Sequence, residues 1–287
     1  MNLRRLLAPW YEWEALNFVV TNRVPRRFLT RIVGRISKCE HPWVKSISIG
    51  LWRAFADLDL SDAATSDFRS MHECFTRRLR PGARTIDMDR DHLVSPCDGI
   101  VGACGSIDDL TLLQAKGHTY TVGELVGADR LAGTFRNGCY VTLRLTSGMY
   151  HRFHAPHDCE VRRLTYFSGD VWNVNPAALA RVPKLFCENE RAVLELELTE
   201  PQRSIALVPV GAILVASIRL HFLDVLLHLD YRGPQSIECS ARLRKGEEVG
   251  WFEHGSTIIV LAPAGMRLAR GIETGAVVRM GAPLMHV

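Results

Sequence analysis

The stretch WFEHGSTIIVLAP, residues 251–263, decides what kind of fold this chain adopts. A polar step, Glu253-His254-Gly255-Ser256-Thr257, leads straight into the apolar run Ile258-Ile259-Val260-Leu261-Ala262. Gly and Ser are ordinary turn residues, so the stretch reads as a turn that opens into a buried strand. The same texture extends back to about residue 93. HLVSPCDGIVGAC, GCYVTLRL, AVLELEL, SIALVPVGAILVASI and AVVRMGAPL are short β-rich runs separated by Gly, Asp and Pro. No strands alternate with long helices, which argues against a Rossmann-type parallel sheet. The first 80 or so residues read instead as helices. The expected class is therefore α+β, with a helical region at 1–80 followed by a mainly antiparallel β barrel or sandwich at 81–287.

The 287 residues suffice for one large domain with an appendage. A net charge of +4 hides an asymmetry. Residues 1–45 carry nine Lys/Arg against three acids, leaving 26 basic and 28 acidic groups in the remaining 242 residues. The basic character thus belongs to the N-terminus, and no nucleic-acid partner is expected. The eight Cys are scattered without a Cys-x-x-Cys pair, so neither a zinc ribbon nor a disulfide framework is indicated. The longest apolar run, IALVPVGAILVASI at 205–218, is interrupted by Pro209 and Gly211 and falls short of the roughly 20 residues that span a bilayer.

After Pro25, the residues Phe28, Leu29, Ile32, Val33 and Ile36 recur at helical spacing, with Arg27, Arg31 and Arg35 every four residues beside them. Trp10, Tyr11 and Trp13 precede them. A basic amphipathic helix of this kind either lies in a membrane interface, Arg toward anionic headgroups, or packs on the protein's own core. The expected orientation places the apolar stripe on one side and the Arg row near the other. Two more helices are expected around 44–56 and 67–79.

Three polar clusters interrupt the strands. Asp98 stands in SPCDGIVG, His151, His154 and His157 in YHRFHAPHD, and Ser256 in the opening stretch. The His-x-x-His-x-x-His spacing invites a metal, but Pro156 argues against a helix, and positions three apart on a strand face opposite sides, so none is expected. An acid, an imidazole and a hydroxyl are the set that nucleophilic catalysis needs: imidazole takes the hydroxyl proton and carboxylate orients the imidazole. Gly-x-Ser-x-Gly is absent, which disfavours an α/β-hydrolase. A lipid-directed serine hydrolase and a non-catalytic lipid-binding β domain remain as alternatives at this level.

The motifs, in order, are FTRRLRPGAR (75–84), SPCDGIVG (95–102), KGHTYTVGELVG (116–127), YHRFHAP (150–156), NVNP (173–176), NER (189–191), VPVGAILVASI (208–218) and KGEEVGWFEHGSTIIVL (245–261). Together the chain resembles the phosphatidylserine decarboxylases of the bacterial, pyruvoyl-dependent, membrane-associated type, over most of its length from about residue 70. The N-terminal 60 residues match only in character. The resemblance implies autocatalytic serinolysis at Gly255-Ser256, giving a large chain (1–255) and a small chain (256–287) headed by a pyruvoyl group made from Ser256. It assigns Asp98 and His154 to activating the serine and His151 to proton transfer in decarboxylation. It further implies a Schiff base between that pyruvoyl group and phosphatidylserine, giving phosphatidylethanolamine and CO₂, with Phe167, Val171, Trp172 and Asn175 in a substrate loop. The implied location is peripheral, on the cytoplasmic side of the cell membrane at an anionic surface, with a homodimer left open. One departure stands out: His254 occupies a position where the family commonly carries Leu or Val.

The chemistry agrees with that division. Loss of CO₂ from an amino acid leaves a carbanion that no ordinary side chain delocalises. General acid–base help contributes only about 10²–10⁴-fold. Enzymes typically supply about 8–23 kcal/mol, so a covalent electron sink is needed.

Overall fold

A computed structural model describes residues 25–115, 118–213, 217–253 and 256–287. Trp10, Tyr11 and Trp13, like His254 and Gly255, lie outside the described residues. The N-terminal part is helical where described: α1 spans Arg26–Ser37, α2 Pro42–Phe55 and α3 Met71–Phe75. Pro42 starts α2, where its missing N–H costs nothing, and the Ser70 hydroxyl caps α3 by accepting from Glu73 N. Trp52, Phe68, Cys74 and Phe75 form a small core of their own beneath these helices.

The β body follows in chain order. It comprises β1 His92–Val94, β2 Gly99–Ser106, β3 Thr111–Ala115, β4 His118–Thr121, the short helices α4 Val122–Val126 and α5 Asp129–Thr134, β5 Cys139–Leu145, β6 Arg152–His154 and β7 Cys159–Phe167. Then come α6 Pro176–Leu179, α7 Leu185–Glu188, β8 Arg191–Leu198, β9 Ser204–Gly211, β10 Ser217–Leu220 and β11 Leu223–His228. The chain ends with β12 Ser236–Leu243, β13 Glu248–Phe252, β14 Ser256–Ala262, β15 Arg267–Leu268, β16 Val277–Val278 and β17 Pro283–His286. The main sheet has eight strands in the order β12-β7-β8-β9-β14-β5-β2-β16, every neighbouring pair antiparallel. A four-stranded sheet, β11-β10-β13-β6, and a three-stranded one, β1-β17-β15, pack over one of its faces.

The stretch quoted first is the centre of this arrangement. All seven residues of β14 are buried. Ile258 and Val260 enter the core shared with the smaller sheets, whereas Ile259 and Leu261 enter a second core on the opposite face. A strand buried on both faces carries no polar alternation, which is why its sequence is continuously apolar. Pro209, in β9 next to it, has no N–H for the ladder, and the recorded pairing of β8 with β9 skips from Arg191↔Val210 to Leu194↔Leu207. The expectation of a barrel is corrected on one point. Strand order is antiparallel as expected, but of the two alternatives, barrel or sandwich, the barrel is not found: among the described residues none of the sheets closes, and the main one keeps two edges, β12 and β16. The β12 edge alternates exposed and half-buried residues and turns Glu238, Ser240 and Arg242 outward, a polar margin that discourages edge-to-edge pairing.

The two sides of α1 divide less cleanly than a simple amphipathic helix. Thr30 and Ser37 are its buried residues, while Phe28 is 60% and Ile36 50% exposed. Several of its basic residues nevertheless reach the body: Arg26 pairs with Asp170, Arg31 with Asp230 and Lys38 with Glu253, and Arg27 donates to Gly169 O. These contacts hold the helix to the protein, while Phe28 and Ile36 are exposed, Leu29, Ile32 and Val33 are half-buried, and Arg27, Arg31 and Arg35 remain exposed themselves. On α2, Trp43, Ile47 and Leu51 recur every four residues and are 75%, 67% and 58% exposed.

Candidate active site

Register places the chemistry at one end of the main sheet. Ile100 pairs with Arg144, so Asp98 and Gly99 arrive beside Leu145; Leu145 pairs with Ser256; Ser256 pairs with Gly211; and Gly211 N donates to Glu190 O. With strands about 4.8 Å apart, Asp98 and Glu190 flank Ser256 at roughly 10 Å on opposite sides. Ser256 is fully buried, and its Oγ makes no hydrogen bond to a described residue. It shares the face of Ile258 and Val260, toward the smaller sheets.

β6 delivers the histidines to the same end. Phe252 N donates to His151 O, which sets His151 beside the segment entering Glu253. The His151 ring is fully buried, lies 4.0 Å from the Phe75 ring, and hydrogen-bonds Met149 O through Nδ1. His154 N donates to Pro96 O, tying β6 to the SPCDG loop. Its Nδ1 faces Gly246 O at 2.9 Å, and a carbonyl only accepts, so Nδ1 carries the proton. Nε2 then holds the lone pair and accepts from the Tyr150 hydroxyl at 3.0 Å. Burial pushes the His154 pKa down, which keeps the ring neutral and basic. Burial likewise pushes the Tyr150 phenol up, so it stays a donor.

Asp98 does not hydrogen-bond to His154. Its carboxylate takes the Arg84 guanidinium in a fork, 2.9 Å from Nε and 2.6 Å from Nη2, and accepts from Met280 N. His154 is oriented by Gly246 and Tyr150 instead. The hydrogen bond from His154 N to Pro96 O holds the ring's own backbone two residues from Asp98. His157 is engaged with the carbonyls of Arg90 and Asp158, and no group of three metal-ligating side chains occurs among the described residues.

The expected substrate loop is anchored to this centre through Asn189, whose side chain accepts from Trp172 N and donates to both Trp172 O and Gly211 O. Gly169 is required there by space, since a Cβ would come 2.3 Å from Glu188 O. Val171 is fully buried, Phe167 lies under Arg191 and Trp172 under Arg26, and Asn175 caps α6 by accepting from Ala178 N. Each of the four is therefore engaged by the protein's own groups.

Arg84, Tyr150 and Glu190 belong to the site neighbourhood yet were not singled out from sequence, although each stands inside a quoted motif. Glu190 is the sharpest case. It is fully buried, and neither carboxyl oxygen makes a hydrogen bond to a described residue. Burial pushes its pKa up to about 8, with the nearby Tyr166 hydroxyl and Arg27 only partly opposing. The folded chain then holds a proton that the unfolded chain releases near pH 4.5, the usual value from which it is raised. Stability should be full below that pH and should fall across the window up to about pH 8, by about 3–5 kcal/mol. Urea unfolding at pH 5, 7 and 9 should show that decline, and Glu190→Gln should flatten it. An equal decline in both would mean Glu190 is not its source.

The sequence profile of the phosphatidylserine decarboxylases matches residues 71–286, which covers every site residue above. Among curated relatives, the phosphatidylserine decarboxylase proenzyme of Haemophilus influenzae (strain KW20) is 37% identical over 96% of this chain and 97% of its own length. Those of Alcanivorax borkumensis and of Vibrio cholerae (serotype O1) are each 36% identical, over 90% and 92% of this chain and 91% and 95% of their own. The chain belongs to the phosphatidylserine decarboxylase family. It is a decarboxylase, and its relatives are named as proenzymes.

Proposed function

We propose that the chain matures by cutting itself at Gly255-Ser256 and then converts phosphatidylserine to phosphatidylethanolamine and CO₂. The observation that carries the reading is Ser256: a fully buried serine at the head of a central strand, its Oγ without a hydrogen bond to a described residue, preceded by a segment whose Phe252 N–H donates to His151 O. Oγ attacks the Gly255 carbonyl while a base takes its proton. The Gly255–Ser256 C–N bond breaks and leaves an ester on Oγ. Loss of the Ser256 α-proton expels the Gly255 carboxylate and leaves a dehydroalanine, which water hydrolyses to a pyruvoyl group and ammonia. His154 suits the base, being neutral with its lone pair on Nε2, and Tyr150 is placed to pass a proton to it. Asp98, clamped by Arg84, supplies fixed negative charge beside the β6 backbone, and His151, alongside Phe252, serves proton transfer in decarboxylation. The pyruvoyl carbonyl supplies the electron sink. In this division the chain comprises a membrane-associating region, 1–80, and a catalytic region, 81–287, cut into 1–255 and 256–287.

The lipid would be met at a membrane surface. No helix among the described residues is long and apolar enough to cross a bilayer. Instead, Phe28 and Ile36 of α1 and Trp43, Ile47 and Leu51 of α2 stand exposed, and clustered large apolar side chains on a surface mark an interaction site. A cleft of about 640 Å³ lined by Arg26, Arg27, Phe28, Arg31, Gly169 and Asp170 joins α1 to the substrate loop, a place for an anionic headgroup. Peripheral attachment on the cytoplasmic side follows from this reading. The test uses vesicles containing phosphatidylserine. Wild type should float with them and release CO₂. Changing Trp43, Ile47 and Leu51 together to Ser should cut vesicle binding and vesicle turnover about tenfold or more, while turnover of detergent-dispersed substrate persists. Because Arg31 is already paired with Asp230, Arg31→Gln should weaken flotation far less. Undiminished flotation of the triple variant would remove the membrane role of this face.

A further inference from the structure

Helix α1 grips both sides of the site. At its N-terminal end Arg26 binds Asp170 and lies 3.6 Å over the Trp172 ring, so it holds the substrate loop. At its C-terminal end Lys38 reaches Glu253, Nζ to Oε2 at 2.7 Å. Glu253 stands two residues before Gly255 and is 7% exposed. Its backbone N donates to Ser217 O, and Arg219 Nε lies 3.9 Å from its other carboxylate oxygen. A carboxylate this buried persists only with partners, and the closest of them comes from α1, on which Phe28 and Ile36 stand exposed.

We propose that Glu253 is a positioning residue for self-cleavage, and that its ion pair with Lys38 pins the turn ahead of the scissile bond to α1. The proposal rests on reading Gly255-Ser256 as the cleavage site. Attack of Oγ on the preceding carbonyl demands one backbone geometry out of many. Ser256 is fixed on its downstream side by two strand partners, β5 and β9. On its upstream side, Glu253 is itself fixed through Ser217 O and Lys38. The pair also links maturation to the helix that carries the exposed Phe28 and Ile36, so that a chain whose α1 is undocked from the body cuts slowly.

The test is a pulse-chase of the full chain in cell-free translation, read as the rate of cleavage at 255/256. Lys38→Glu and Glu253→Lys should each slow cleavage about tenfold, within the range of coupling between residues in direct contact. The double exchange, Lys38→Glu with Glu253→Lys, should return the rate to within about threefold of wild type, which a merely structural contribution of either side chain would not produce. The same changes in a Ser256→Ala background, followed by urea unfolding, separate slow cleavage from failed folding. Single variants that fold and cut at the wild-type rate, or a folded double exchange that stays as slow as the singles, would overturn the proposal. A wild-type chain that never cuts at 255/256 would overturn the cleavage reading itself and the proposal with it.

Discussion

Ser256→Ala leaves a single chain of 287 residues and no detectable decarboxylation. In the proposed maturation the hydroxyl oxygen is both the nucleophile of the cut and the atom through which the pyruvoyl group is made, and Ala offers no replacement. The loss should not be a folding defect. Ser256 Oγ is buried without a hydrogen bond to a described residue, so removing it relieves an unsatisfied polar atom. The β14 strand keeps its backbone pairing on both sides, Ser256 with Leu145 and with Gly211. Urea midpoints should therefore match or exceed those of an unprocessed wild-type chain. A variant that still splits at 255/256 would show that another group carries out the cut.

The second large effect separates the histidines. His154→Ala should slow self-cleavage by about 10²–10⁴-fold, the usual contribution of a general base. His151→Ala should mature at least in part, yet lose a similar factor in decarboxylation of the mature enzyme. Their settings differ accordingly. His154 presents Nε2 to Tyr150 with Nδ1 locked on Gly246 O, whereas His151 lies against Phe75 and beside Phe252. The pH dependence follows from burial. Because the His154 pKa is lowered, its ring stays neutral below the usual imidazole value near 6.5. The cleavage rate should stay flat as pH falls through that value and drop only further down. Cleavage equally impaired in both alanine variants, or a rate already halved at pH 6.5, would cancel the assignment of His154 as base.

Much of this was legible in the sequence because it is local. Turn residues around short apolar runs identified the antiparallel strands, and the unbroken Ile258–Ala262 run marked a strand with cores on both faces. Whether such strands close into a barrel depends on which edges meet, and no local pattern records that; the main sheet stays open. The amphipathic character of α1 was likewise readable, but not which of its residues reach the body. Asp170, Asp230 and Glu253 decide that, and they stand 144, 199 and 215 residues away from their partners in α1. Gly246 lies 92 residues from His154, and Arg84 lies 14 from Asp98 on the far side of β1, so neither role shows in a local pattern. Glu190 was invisible for another reason: an acid just ahead of a strand reads as a solvent-facing residue until the layers around it are known.

Intact-protein mass spectrometry of the purified chain bears most directly on self-processing. Two species are expected, residues 1–255 ending in a free carboxylate and residues 256–287 lighter by one ammonia than the same peptide with a serine amino terminus. Hydroxylamine should shift the small species alone, by oxime formation at its ketone. A single full-length mass, or a small chain that begins with an intact serine amine, would contradict it.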